Sequence, residues 1–219
     1  MIDLHTHTIL SDGVLVPSEL VRRAYVAGYK AIAITDHVDH SNIDMVVSGI
    51  VKVSKILNKY WDIFVIPGVE ITHVPLEAFP ELVRYARSKG AKLVVGHGES
   101  PVEPVLPGTN AAAIGAGVDI LAHPGLISEE DARRAAEKGV CLEITARRGH
   151  SGTNGHVFEM ALKSGAKMVV DTDTHAPEDL FTVEKRDALL NGLTDSQDVI
   201  NAIIDTSRRV AEKMGMVRR

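Results

Sequence analysis

The chain has 219 residues, enough for one sizeable core, and carries 24 basic against 29 acidic side chains for a net charge of −5. That balance leaves no basic footprint for nucleic acid, and no apolar run approaches the ~18 residues a membrane span needs, so neither partner is expected. One cysteine, Cys141, excludes an internal disulfide framework, and the start MIDLHTHT lacks the basic and apolar regions of a signal peptide; a soluble, cytoplasmic protein is expected.

Short apolar runs alternate with longer amphipathic stretches. The first run is 2–4, followed by a helix opened by Pro17-Ser18-Glu19, apolar through Leu20, Val21, Ala24 and Ala27, and stopped at Gly28. Next come a run at 31–34 and a helix over about 41–60, then a run at 63–69 and a helix over about 76–88. A run at 92–95 precedes a helix over 110–116, and a run at 119–122 precedes one begun by Ser128-Glu129-Glu130-Asp131 and ended by Gly139. Runs at 140–144 and 168–170 flank a helix over 154–164. A tail helix over about 195–214, amphipathic through Val199, Ile203, Ile204 and Val210, is expected to pack on the outside of a single domain spanning 1–219.

The runs are mostly β-branched, as in strands buried on both faces, and seven strand–helix repeats imply parallel strands with right-handed crossovers. An open doubly wound sheet gathers its site at a switch point between a few strands, whereas a barrel collects residues from many strand ends. Here the polar residues decide for the barrel. His5-Thr6-His7 ends the first strand, its imidazoles on one side and about 7 Å apart at the backbone, and Ser11-Asp12-Gly13 follows. Later strands end in Thr35-Asp36-His37, Gly68-Val69-Glu70, Gly96-His97-Gly98, Ala122-His123-Pro124 and Asp171-Thr172-Asp173-Thr174-His175; the sixth, ending Glu143-Ile144-Thr145, differs. A lone His-x-His is weak evidence. Six of seven strands ending in His, Asp or Glu is not, because such groups clustered without a cation would be costly and mutually repulsive.

DLHTHT with SDG, then AITDH, GVE, GH, LAHPG and DTDTH, in that order, resemble the PHP (polymerase and histidinol phosphatase) superfamily from residue 2 to about 176. The resemblance implies a distorted (β/α)7 TIM-like barrel and a trinuclear metal site. It places His5, His7, Asp173 and Glu70 on one ion, Glu70, His97 and His123 on a second, and Asp12, His37 and His175 on a third. Asp36 is expected to orient a metal-bound imidazole rather than to ligate. Glu70, Asp173 and His175 are expected to act in catalysis. Imidazole and carboxylate without thiolate suit Zn, Mn or Fe, and Cys141 is expected to be a buried core residue.

Clustered divalent ions make hydroxide available near neutral pH and can hold both oxygens of an in-line displacement at phosphorus, so a phosphoesterase acting on a small phosphorylated substrate is expected. The glycine-rich loop after the sixth strand carries Arg147 and Arg148, either of which could meet phosphate. His150 and His156 could supply a proton, though a loop or helix-surface place is the plainer reading; His40 and His73 could line the way in. Two rivals stand beside this. An amidohydrolase-like C–N hydrolase usually bridges its ions through a lysine or carboxylate on the fourth strand, where this chain has His97. A non-catalytic PHP scaffold would show degraded ligands and a basic surface.

Overall fold

The computed structural model describes residues 1–217, so the last two residues of the 1–219 domain reading lie outside the described residues. The strands are β1 (Ile2–Asp3), β2 (Ala31–Ile34), β3 (His37–Val38), β4 (Phe64–Ile71), β5 (Leu93–His97), β6 (Ile120–Ala122), β7 (Cys141–Thr145) and β8 (Met168–Asp171). The helices are α1 (Pro17–Val26), α2 (Ile43–Tyr60), α3 (Phe79–Lys89), α4 (Thr109–Ala116), α5 (Glu129–Lys138), α6 (Asn154–Ser164), α7 (Val183–Asn191) and α8 (Gln197–Lys213). Pairing is parallel throughout, in the order β1-β2-β4-β5-β6-β7-β8. The two-residue β3 follows β2 after Thr35 and Asp36 and pairs with the far half of β4, so β3 is an interrupted extension of β2 and the ring counts seven strands.

The ring closes between its first and last strands through a single bridge. Thr6 pairs with Thr174, the His7 amide donates to the Thr174 carbonyl at 2.8 Å, and the Leu4 amide donates to the Asp171 carboxylate at 2.7 Å. The result is the expected seven-stranded, TIM-like barrel with a distorted seam. One side-chain set points outward under α1 to α7. The other fills the interior with Leu4, Ala33, Ile66, Leu93, Ile120 and Val169, all fully buried. Each leucine, isoleucine or valine among them contributes roughly 1.5–3 kcal/mol by leaving water. Cys141 joins this interior, and burial pushes its thiol up to about 11. α8 packs on β8 and β1, and its Ala211, with Met214 just after the helix, belongs to the interior cluster.

The helices start and stop where the chain chemistry directs. Ser128 Oγ accepts from the Asp131 amide at 3.0 Å to begin α5, and Gly139 ends it with φ 72°. α7 has no counterpart among the sequence-derived helices. Only Leu190 of its nine residues is buried, so it carries no apolar stripe; its one local signal is Thr182, whose hydroxyl caps the Lys185 amide. Among the described residues no helix is long and apolar enough to cross a membrane.

Candidate metal centre

The C-terminal ends of the strands bring all nine expected ligands together. Alternation after β1 turns His5 and His7 to the same side, with their Nε2 atoms 3.0 Å apart. Glu70, inside β4 and fully buried, is the hub: its oxygens lie 3.3 Å from His5 Nε2, 3.6 Å from His7 Nε2, 2.8 Å from His37 Nδ1 and 3.6 Å from His123 Nε2. Asp173 approaches His7 at 3.1 Å and His123 at 3.8 Å. Asp12, on the exposed loop after β1, reaches His175 at 3.2 Å and His37 at 3.5 Å. Among the described residues, four sets drawn from these nine have donor atoms within 4.8 Å of one another and could hold metal ions: His5–His7–Glu70, His5–His123–Asp173, Glu70–His97–His123, and His7–Asp12–His37–His175.

The donors fit divalent ions on three observations. Neither Glu70 oxygen makes a well-formed hydrogen bond, and His7 Nδ1 and His123 Nδ1 are likewise buried without a partner. Orphans of this kind normally cost about 1–3 kcal/mol each. The charge pattern also calls for cations. Burial works against charge on His5, yet Glu143, Glu70 and Asp173 hold its imidazole well above the usual histidine value; His37, opposed by burial but facing Glu70, rises to about 9. His7 and His123 go the other way, pushed well below by burial and by neighbouring imidazoles. The raised imidazoles around Glu70 mark a carboxylate-rich field of the kind cations occupy. Finally, His73, His123 and Asp173 are the non-glycine residues with positive φ among those described, at 51°, 26° and 53°. Such strain costs of order 1–3 kcal/mol per residue and concentrates at functional sites.

A second layer fixes the rings. Glu143, the residue that set the sixth predicted strand apart, takes His5 Nδ1 at 2.6 Å on one oxygen and the His123 amide at 2.8 Å on the other. His97 Nδ1 donates to the Gly98 carbonyl at 3.0 Å and His175 Nδ1 to the Asp173 carbonyl at 2.9 Å, which turns both Nε2 atoms toward the centre. Asp36 does not orient an imidazole as expected. Its carboxylate accepts from the Thr8 amide and hydroxyl and from the Ser11 hydroxyl, so it anchors the loop that carries Asp12. The carboxylate orienting a ring is Glu143. Gly98 and Gly125 complete the wall: a Cβ at Gly98 would strike Ala122 O and Pro124, and one at Gly125, where φ is 63°, would strike Glu99 O.

Around the rim the outcome is mixed. The Arg147 guanidinium is engaged by Asp179 at 3.2 Å, and the same Asp179 oxygen accepts from the His175 and Ala176 amides. Arg147 therefore braces the strand end bearing His175, while Arg148 is exposed on the same loop. His150 is buried, 2.6 Å from Ser100 Oγ, with its ring stacked on His123 at 4.3 Å between centroids. His156 binds the Ile127 carbonyl and His40 is exposed. Glu103, to which sequence reasoning gave no role, lies 2.8 Å from His97 Nε2, 3.4 Å from His73 Nε2 and 3.5 Å from His150 Nε2. The imidazoles of His150 and His97 hold its carboxyl well below the usual range. Its only sequence signal is its place in the proline-rich 99–110 connection. A separate cavity of about 930 Å³, lined by Lys30, Trp61, Phe64 and Arg208 among others, holds none of these residues.

Residues 3–98 match the PHP domain. An uncharacterized protein of Methanocaldococcus jannaschii is 50% identical over 199 residues, covering 89% of this chain and 91% of its own. A 5′-3′ exoribonuclease of Haemophilus influenzae is 43% identical over 70 residues, 32% of this chain and 23% of that protein. In fold, the chain superposes on a chain in the cryo-EM structure of archaeal ribonuclease P with mature tRNA, with TM-score 0.73 and 18% identity over 100% of this chain and 95% of the other. The motif order, the barrel and these matches agree: the chain belongs to the PHP family, whose members are generally metal-dependent hydrolases and phosphoesterases.

Proposed function

We propose that this protein is a metal-dependent phosphoesterase that hydrolyses the phosphate monoester of a small molecule and holds three divalent ions, Zn, Mn or Fe, in its barrel mouth. The observation that carries the proposal is Glu70, a fully buried carboxylate without a well-formed hydrogen bond and with four imidazoles around it. His5, His7, Asp173 and Glu70 would hold one ion, Glu70, His97 and His123 the second, and Asp12, His37 and His175 the third. Clustered divalent ions supply activated water near neutral pH and offset the charge of a phosphoryl group.

The chain's own residues do the rest. Glu70 would tie two ion positions together, Asp173 closes the buried ring beside His7, and His175 links that ring to exposed Asp12; these three are the residues assigned to catalysis. Burial raises the Asp173 carboxyl to about 6. Glu143 fixes His5 and the backbone of His123. Arg148 is the guanidinium assigned to phosphate, and Arg147 supports the β8 end through Asp179. A small substrate is favoured over a polymer by the acidic balance of the chain and by a rim that bears Asp12 and Glu103.

The test is metal-reconstituted protein assayed against phosphomonoesters, phosphodiesters, 5′-phosphorylated RNA oligonucleotides and lactams. Release of phosphate from small monoesters is expected. Stepwise shortening of RNA would move the substrate to nucleic acid, and turnover of lactams alone would overturn the phosphoesterase reading.

A further inference from the structure

The ligand field does not end at the nine residues. Glu103, on the connection between β5 and α4, meets His97 and His73, so that two imidazoles and one carboxylate have donor atoms within 4.8 Å of one another. This outer triple shares His97 with the inner triple Glu70–His97–His123. Because His97 Nδ1 is committed to the Gly98 carbonyl, only Nε2 is left to bind an ion, and its single lone pair serves one ion at a time. The two triples are alternatives for one ion.

Burial separates their roles. Glu70 is fully buried, and His97 and His123 are 2% and 3% exposed, so the inner position has no donor in open solvent. The side chains of His73 and Glu103 are 42% and 34% exposed. A hydrated ion arriving from solvent meets those two first, and His97 lies 2.8 Å beyond Glu103. The base of the loop is held by Glu99, whose carboxylate accepts from the Gly108 and Asn110 amides, so Glu103 stands on an anchored support.

We propose that His73, Glu103 and His97 form a capture site for a divalent metal ion, from which the ion passes inward on the Nε2 of His97 to Glu70 and His123. The inference rests on the proposed metal centre. The exposed pair sheds part of the ion's hydration shell before the buried donors are reached. His97 turns from the outer to the inner set, and Glu103 and His73 are then released to the rim.

The test uses the full chain stripped by chelation and reloaded with Zn²⁺, with uptake followed against a chromophoric chelator and the final content measured by elemental analysis. In His73→Ala and Glu103→Gln, one phase of uptake is expected to slow by about tenfold or more while the final stoichiometry matches the unaltered protein. His73→Gln, which keeps size and polarity, is expected to slow uptake in the same way and controls for folding. Uptake at the unaltered rate would remove the capture site and leave the metal centre standing. One ion fewer at saturation would make the outer triple a resident site and overturn the proposal. An unaltered protein that takes up no Zn²⁺ would overturn the metal centre and this inference together.

Discussion

The two halves of the barrel interior are built from the same strands by opposite rules. Toward the N-terminal ends the inward positions are Leu4, Ala33, Ile66, Leu93, Ile120 and Val169, closed below by Ala211 of α8 and by Met214 at its end. Toward the C-terminal ends, three or four residues further along from Ile66, Leu93, Ile120 and Val169, they are Glu70, His97, His123 and Asp173, joined by His5 and Glu143. Both halves are dry. One gains from dryness at every position, whereas the other carries orphaned carboxylate oxygens, opposed imidazoles and left-handed backbone at His123 and Asp173. The lower half holds the upper half in an arrangement it would not adopt alone, which is how strain persists at sites built to bind.

The sharpest way to break this contrast is Glu70→Gln. The amide keeps the shape but not the charge shared by two ion positions, so two ions should be lost together and turnover should fall at least about a hundredfold, more than the loss typical of residues outside the ligand shell. Elemental analysis alongside phosphate release checks it; full metal content with full turnover would remove Glu70 from the centre. Leu93→Ala attacks the other half. It should cost about 2–5 kcal/mol of stability, as a fully buried leucine replaced by a cavity does, and by the same amount with metal or with chelator present. Chelation of the unaltered protein should itself lower the melting temperature, since ions at a hundred times their dissociation constant add about 2.7 kcal/mol. A Leu93→Ala cost that changed greatly on chelation would show that the halves are not independent.

Glu143→Gln tests the boundary between them. The carboxylate accepts two N–H groups, from His5 Nδ1 and the His123 amide. A glutamine has one accepting oxygen, and its NH₂ would face a donor. Metal affinity should fall about 10- to 100-fold by titration, with the stoichiometry at saturation kept.

The strand positions were legible in the sequence because seven short apolar runs leave little choice of period, and the candidate ligands because all but Asp12 fall where a run ends. α7 was not legible, since a helix with only Leu190 buried writes no apolar pattern. Glu103 and Asp36 mark a deeper limit. Glu103 lies in a loop whose path is set by contacts with Gly98, Gly125 and Asn110, and no local rule tells that its carboxylate returns to His97. Asp36 sits beside a ligand in sequence, yet a strand neighbour points to the opposite side, so its partners are Thr8 and Ser11 rather than an imidazole. Adjacency along a strand argues against shared contacts.

The smallest effects are expected at the rim, where two neighbouring arginines separate binding from positioning. Arg148 is exposed and assigned to phosphate, so Arg148→Ala should raise KM while leaving kcat nearly unchanged. One hydrogen bond to a charged group is worth about 1.5–3 kcal/mol, so the rise should be about ten- to a hundredfold. Arg147→Ala removes a partly exposed ion pair worth no more than about 1 kcal/mol, and it acts through Asp179 on the backbone of His175. Its effect should fall on kcat, by a few-fold, with KM held. Steady-state kinetics of the two variants on one phosphomonoester compares them directly. If Arg147→Ala raised KM and Arg148→Ala did nothing, the phosphate contact would belong to Arg147, and its pairing with Asp179 would have to open when substrate binds.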